Sequence, residues 1–548
     1  MKRFNIISAL CLTVSFASCD LNLEPMDQIS DASFWTKSED FKLATNNLYW
    51  GLEDAFQFAD NTSDLAYGKG ADDISNGSYI APVSDPEWDK PWEQIHNANY
   101  ILERAKASGL SETEIGRWVG ETLFFRAYNY WKLMKKFGGV PKIEIALNTE
   151  SPELYSERAT QKEIVDFILN DLEQAIPAMP KQSEIPVAEM GRTTQGAALL
   201  LKARVALYQG TWEKYHNGSD ADKYLSIAID ASRALINSNE YALYKGMGDD
   251  SYKYLFILQG DDSKEVILAK RYYKLRLTHN WTRELMLNAM TPTKSMADMY
   301  LSNDGLPIEK SDKFQGYQTM TSEFENRDPR MAMTFIVPGS KVFIEGGVWS
   351  EQNPGFLGSN ATHTGYMLRK FMDETEDALN KIGEYDFKEF RYGEGLLILA
   401  EALYEKNNQI TDAELDLTIN ELRKRVNMPA LTNQFVTENG LDMQNEIRRE
   451  RTVELAFEGY RRDDLRRWGI ADDVLPKALK GVKFVGSEFE QKYPELIVGQ
   501  NLQVDENGFI LTENANSRKF ESKHWLSPIP LKQVQLSKGT LKQNPGWE

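Results

Sequence analysis

The chain is 548 residues long, 41% hydrophobic and 26% charged, an ordinary globular composition with length enough for a large core. Its net charge of -19 argues against nucleic acid as a partner and against attachment to an anionic lipid surface by charge. It fits a soluble body whose neutral partners are held by contact and not by long-range attraction.

Residues 1–18 form a targeting segment and are set aside from the fold. Lys2 and Arg3 make its positive end. The apolar run from Ile6 to Phe16 is shorter than the ~20 residues that span a bilayer. Phe16-Ala17-Ser18-Cys19 follows, and small residues immediately before a cysteine resemble the lipobox of bacterial lipoproteins. The resemblance makes Cys19 the lipidated mature N-terminus; the alternative is a secretory signal cleaved near Ala17. The chain has two cysteines, Cys11 inside the signal and Cys19. An acylated Cys19 leaves the mature chain without a free thiol, a disulfide or a cysteine metal site. Nothing further along is long and apolar enough to cross a membrane, so the body is anchored and not embedded.

Residues 19–30 read as a tether. Glu39 to Leu52 reads as an amphipathic helix with Phe41, Ala44, Leu48 and Leu52 inward. Turn formers dominate residues 60–91, which read as a long ordered loop carrying Tyr67, Tyr79 and Trp88. Helices then come in pairs. Trp92 to Ala107 is broken by Gly109, and Ser111 with Glu114 forms a capping box that opens the next helix, running to Gly138-Gly139. Thr160 to Ile176 and Thr194 to Tyr215 form a second pair, and Asp222 to Ile236 stacks on it. Each unit has the length of a tetratricopeptide-type hairpin, without the strict consensus. From 246 to 385 the helical period is lost. Val266–Lys270, Thr334–Val337 and Lys341–Ile344 read as strands in a second loop-rich region. Phe390 to Glu405 and Leu415 to Val426 read as a further helical pair.

The stretch from Asn445 to Trp468, NEIRRERTVELAFEGYRRDDLRRW, reads as a helix from Glu446 to about Tyr460. Val453, Ala456, Phe457 and Tyr460 make its buried stripe. Glu450, Glu454 and Glu458 stack one turn apart beside it, and repel unless cations sit among them. Arg448, Arg449 and Arg451 lie on the helix, and Arg461, Arg462, Arg466 and Arg467 follow Gly459, beside Asp464. The reading is a structural salt-bridge network of arginine forks. Two carboxyls one turn apart also match the separation in a retaining glycosidase, but so many arginines would keep both ionised. The prolines of WLSPIP and QNPGW forbid regular structure and suggest a strap laid over the body. No linker divides the mature chain. The expectation is mainly α: TPR-like hairpins in one scaffold (helix pairs 92–236 and 390–426), loop-rich ligand regions 60–91 and 246–385, and the signature and strap at 445–548.

Catalytic signatures are scarce. The five histidines form no HExxH or other ligand spacing, and there is no GxSxG, Walker loop or strand-borne GxGxxG. No cofactor and no metal site is implied. The aromatics say more. Trp118 and Trp131 lie on a helical apolar stripe, and Trp468, Trp525 and Trp547 belong to the signature and strap. Trp88, Trp281, Trp349, Tyr67, Tyr79 and Tyr317 fall in turn-rich stretches. Such rings either plug into the body or face a ligand. Flat rings flanked by amides and carboxylates suit a sugar, and Asn280 and Asp72 offer such neighbours. The candidate glycan platform is Tyr67, Asp72, Tyr79, Trp88, Asn280, Trp281, Tyr317 and Trp349.

The lipoprotein start, RAYNYWKLMKKFGGVPKI at 126–143, GRTTQGAALLLKARVALYQGTW at 191–212, NRDPRM, TGYMLRKF, FRYGEGLLILAEAL, INELRKRVNMP, ERTVELAFEG, WLSPIPLKQV and QNPGW together resemble the SusD/RagB family of outer-membrane nutrient-binding lipoproteins, across essentially the whole chain. The resemblance implies a TPR-containing α fold, lipid display on the outer-membrane surface, and pairing with a SusC-like TonB-dependent transporter to which oligosaccharide is delivered. Binding and not catalysis is the implied role. Two other readings are a lid protein of the same type that takes peptides or glycoprotein fragments, and a surface-anchored polysaccharide hydrolase.

Overall fold

The structure, a computed structural model, describes residues 34–53, 59–344 and 348–548. The targeting segment, Cys19 and the tether expected from the sequence lie outside the described residues.

The long helices follow the sequence periodicity. They are α1 (Ser38–Asn46), α2 (Pro86–Ala107), α3 (Glu112–Phe137), α4 (Gln161–Ala178), α5 (Gln195–Tyr215), α6 (Ala221–Asn237), α7 (Tyr392–Asn407), α8 (Ile419–Arg425), α9 (Met443–Glu454) and α10 (Arg461–Arg467). Local chemistry fixes their starts. The Asp85 carboxylate accepts from Glu87 N at 2.9 Å to open α2, and Ser111 N donates to Glu114 at 2.8 Å in the capping box of α3. Thr160 and Glu163 repeat that box on α4.

Packing runs α2 on α3, α3 on α4, α4 on α5 and α5 on α6. The chain then leaves the stack for some 150 residues and returns with α7, which packs on α6 and on α9. The last hairpin is therefore assembled from segments distant in sequence, whereas the sequence pairs residues 390–405 with 415–426. That second segment is broken at Thr418 into Asp412–Leu417 and α8. The excursion builds a second core of its own, from residues between Tyr252 and Met372 together with Val453, Ala456, Phe457 and the C-terminal segment around Val482 and Ile510. The first core is the helix stack.

Among the described residues the strands form two-stranded antiparallel ribbons: β1 (Ala66–Tyr67) with β3 (Thr291–Pro292), β2 (Val266–Lys270) with β6 (Phe387–Arg391), β4 (Lys341–Ile344) with β5 (Val348–Glu351), and β7 (Leu479–Lys483) with β8 (Phe509–Glu513). Two of the strands expected in this region are present as β2 and β4. The third is not a strand: Asp328 caps a short helix, Pro329–Thr334, whose first residue is the proline, and Phe335 makes only an isolated bridge to Leu368.

The signature also differs from its expectation. α9 stops at Glu454, and Phe457 and Gly459 adopt left-handed φ of 63° and 83° before α10 begins. The broken backbone keeps Val453, Ala456 and Phe457 buried in the second core while Tyr460 leans on the first. The signature is the seam between the two cores.

Candidate functional site

Ion pairs fill that seam. The carboxylates of Asp328, Glu265, Glu450, Glu454 and Glu458 face the cations of Arg330, Lys370, Arg391, Arg423 and Arg425. Arg425 Nη2 donates to both Glu454 oxygens at 2.6 and 2.7 Å, Arg391 Nη1 to Glu454 at 2.8 Å and Arg330 Nη1 to Glu454 at 3.0 Å. Arg423 holds Glu450 at 2.8 Å, Arg391 forks onto Glu458 at 2.7 and 2.8 Å, and Lys370 meets Glu458 at 2.8 Å. Burial alone would raise each glutamate, but the surrounding cations hold Glu450, Glu454 and Glu458 below the ordinary carboxylate range. None is kept protonated, so the stripe offers no general acid. The predicted network is present with altered partners. The cations among the glutamates come from distant elements, while Arg451 pairs with Asp464 at 2.8 Å, Arg461 with Asp64, and Arg466 with the Trp525 carbonyl.

The eight predicted platform residues do not converge. Trp88 is buried on the first turn of α2, against Trp92 and Phe137. Trp281 is buried in the second core between His279, Tyr385 and Phe371, at the start of the helix Trp281–Met286. Both expectations of loop exposure are overturned, because the start of α2 and the short helix Trp281–Met286 reach into the turn-rich stretches and carry these indoles inward, where a large ring gains most from burial. Tyr67 is buried in β1, edge-on to His363 at 5.6 Å. Asp72 caps the turn Asp73–Asn76, accepting from Ile74 N and Ser75 N at 2.9 and 2.8 Å. Tyr79 is clamped between His524 and Trp547 of the strap. The Tyr317 hydroxyl accepts from Lys294 at 3.0 Å, and the ring lies edge-on to Phe509. Asn280 is exposed and donates to Glu284 at 3.1 Å. Trp349 alone of the predicted rings is open to solvent, 51% exposed on β5 with Phe343 across the ribbon at 5.8 Å.

Two cavities stand out. One, of about 300 Å³, lies along the seam. Several of its lining cations are engaged: Lys132 with Glu53 at 3.1 Å, Lys135 with Asp463 at 3.6 Å and Arg204 with Glu394 at 2.7 Å. The other is an open groove of about 500 Å³ at the N-terminal edge of the helix stack. One wall is the end of α1 and the turn after it, with Asn46, Tyr49 and Trp50; the second is the loop 188–192; the third is the end of β2 with Arg271 and Leu277. None of the eight predicted residues lines it.

One family model, described as the SusD family, matches residues 258–547, just over half the chain.

The chain belongs to the SusD family. A second SusD-like model, described as starch-binding associating with outer membrane, matches residues 36–207. SusD-like protein P38 of Formosa agariphila is 24% identical over 526 residues, 87% of this chain and 94% of that protein. The starch-binding protein SusD of Bacteroides thetaiotaomicron is 24% identical over 408 residues, 69% of this chain and 68% of that one. A crystal structure of a SusD-like carbohydrate binding protein from Bacteroides fragilis superposes with a TM-score of 0.76 at 24% identity, covering 92% of this chain and 99% of the other. These likenesses establish the TPR-like helical fold. The groove around Trp50 escaped sequence reasoning; its signal is a tryptophan lying off the apolar stripe of Phe41, Leu48 and Leu52 on a segment read as a helix.

Proposed function

We propose that this SusD-family chain is a cell-surface lipoprotein, anchored through Cys19, that captures oligo- or polysaccharide and delivers it to a SusC-like TonB-dependent transporter. The observation that carries the reading is the pair of family models at 36–207 and 258–547, the first described as starch-binding associating with outer membrane. The exposed Trp349 supports it as a stacking surface for a sugar ring. Binding without cleavage is supported by the glutamate stripe, whose carboxylates are committed to arginines in the interior.

The test uses electrophoresis of the full chain through gels containing single polysaccharides, followed by an assay for new reducing ends. Retardation without new ends is expected; new ends would favour the hydrolase. Co-purification of a β-barrel partner from outer membranes tests the delivery step, and its absence counts against that step alone.

A specific observation favours a second reading, peptide or glycoprotein-fragment cargo: most of the predicted loop aromatics are committed to packing. A glycan array without a hit would support it.

A further inference from the structure

Trp50 is 66% exposed, and its indole has no ring partner among the described residues. The residues around it are fixed. Tyr49 donates its hydroxyl to Glu121 at 2.9 Å and accepts from Thr193 N at 2.8 Å. Arg192 forks onto the buried Glu121 at 2.8–3.2 Å, donates to Thr45 at 2.8 Å and to the Asn46 oxygen at 2.5 Å, and lies over the Tyr49 ring at 5.2 Å. This lattice ties the turn carrying Trp50 to the loop 188–192. That loop meets the third wall through Gly191, at φ 92°, where a Cβ would fall 2.5 Å from Arg271 Cδ. Only a glycine lets Arg271 lie against the backbone there.

The groove is cation-lined, and Lys42, Arg192 and Arg271 are each paired with a carboxylate. Lys42 pairs with Glu189 at 2.8 Å, Arg192 with Glu121 at 2.8 Å, and Arg271 with Asp386 at 3.2 Å and Asp262 at 3.0 Å. Donors are nevertheless left over. Asn46 Nδ2 and Arg271 Nη1 have no partner among the described residues. A flat exposed ring beside uncommitted N–H donors, on walls that do not need to reorganise, is the equipment for a neutral hydroxylated ring. An anionic ligand would need a surplus of cations that the pairing removes.

We propose that the Trp50 groove is a saccharide subsite for neutral glycan, with the indole stacking on the C–H face of one sugar while Asn46 and Arg271 donate to its hydroxyls. The assignment rests on the glycan-capture reading above. It places a contact on the helix-stack edge, on residues outside the loop-borne candidates.

The test compares the full chain with its Trp50→Ala and Trp50→Phe variants in native gels containing soluble starch, a neutral β-glucan or a uronate-rich polysaccharide. Denaturant midpoints are measured alongside, and the exposed side chain predicts that they stay equal. In a neutral gel that retards the parent, Trp50→Ala is expected to bind about tenfold more weakly or worse, and Trp50→Phe to keep most of the retardation. Equal retardation of parent and Trp50→Ala overturns the subsite and leaves the glycan reading standing. Retardation by the uronate polymer alone overturns the neutral assignment. A parent unretarded in every gel overturns the glycan reading and the subsite together.

Discussion

Arg461 grips Asp64 in a two-bond fork, Nε to Oδ1 at 2.8 Å and Nη2 to Oδ2 at 3.0 Å, with both side chains buried and 397 positions of chain between them. Two residues before Arg461, Gly459 N donates to Asp60 at 2.9 Å. The C-terminal signature is thereby pinned to the N-terminal loop region, and the two cores cannot separate without exposing the pair. Asp64→Ala leaves a buried guanidinium without its carboxylate. The expected loss is about 3–5 kcal/mol, read as a lower denaturant midpoint.

Glu454 should matter more. It accepts from Arg330, Arg391 and Arg425 at once, so its removal takes a carboxylate from three buried cations together and leaves them to Asp328, Glu450, Glu265 and Glu458. Glu454→Ala is expected to destabilise more than Asp64→Ala, up to loss of soluble folded protein; a smaller midpoint shift than Asp64→Ala would show that water or rearrangement relieves the seam. Swapping the stripe and its arginines for apolar residues is a separate matter and need not destabilise.

Trp88→Ala and Trp281→Ala are expected to report on stability and not on ligand. Both indoles are at most 4% exposed, and truncating a buried tryptophan costs about 3–5 kcal/mol. The check is chemical denaturation beside a binding assay. Full stability with lost glycan affinity would place these rings at a site after all.

The pH dependence of stability separates two classes of carboxyl. Glu450, Glu454 and Glu458 have folded pKa values below their ordinary 4.5, despite burial, because arginines and a lysine face them. Their contribution is present above about pH 4.5 and is lost as pH falls through the lower folded values. Asp373 is opposite: burial pushes it from 3.8 to about 6. The unfolded chain ionises there first, so Asp373 withholds stability as pH rises from about 4 to 6. Asp60 and Asp386, raised by burial to about 6 and about 7, slope the same way, and His279 and His524, pushed down by burial to about 4, slope the other way, so the parent's profile mixes both. The comparison with Asp373→Asn isolates the term. Its stability relative to the parent is expected to rise between pH 4 and 6 and then level off; a difference independent of pH would contradict the raised value.

Much of the scaffold is legible in the sequence. The strand Val266–Lys270 and the capping box of Ser111 and Glu114 stand where the residues place them, and α5 differs from its expectation by one residue at its start. Strong period and explicit caps decide these elements locally. Trp88 was hidden by Pro86 and Pro91, which read as loop. Pro86 sits at the first position of α2, where no N–H is needed, and Pro91 forgoes one bond to the Glu87 carbonyl. The partners of the glutamate stripe, Arg423 and Arg425 at 27 and 29 positions away and Arg330, Lys370 and Arg391 further off, are ones no local pattern announces. The site is least legible because exposure is set by tertiary packing: Trp50 and Trp349 are open and Trp281 is closed, in stretches of similar composition.

The most direct test of glycan capture is an array of neutral and acidic glycans probed with the full chain and with Trp349→Ala. The account predicts binding to a chemically related set of glycans by the parent and a weaker signal on the same set for the variant. Background signal across the whole array with a correctly folded parent would contradict it.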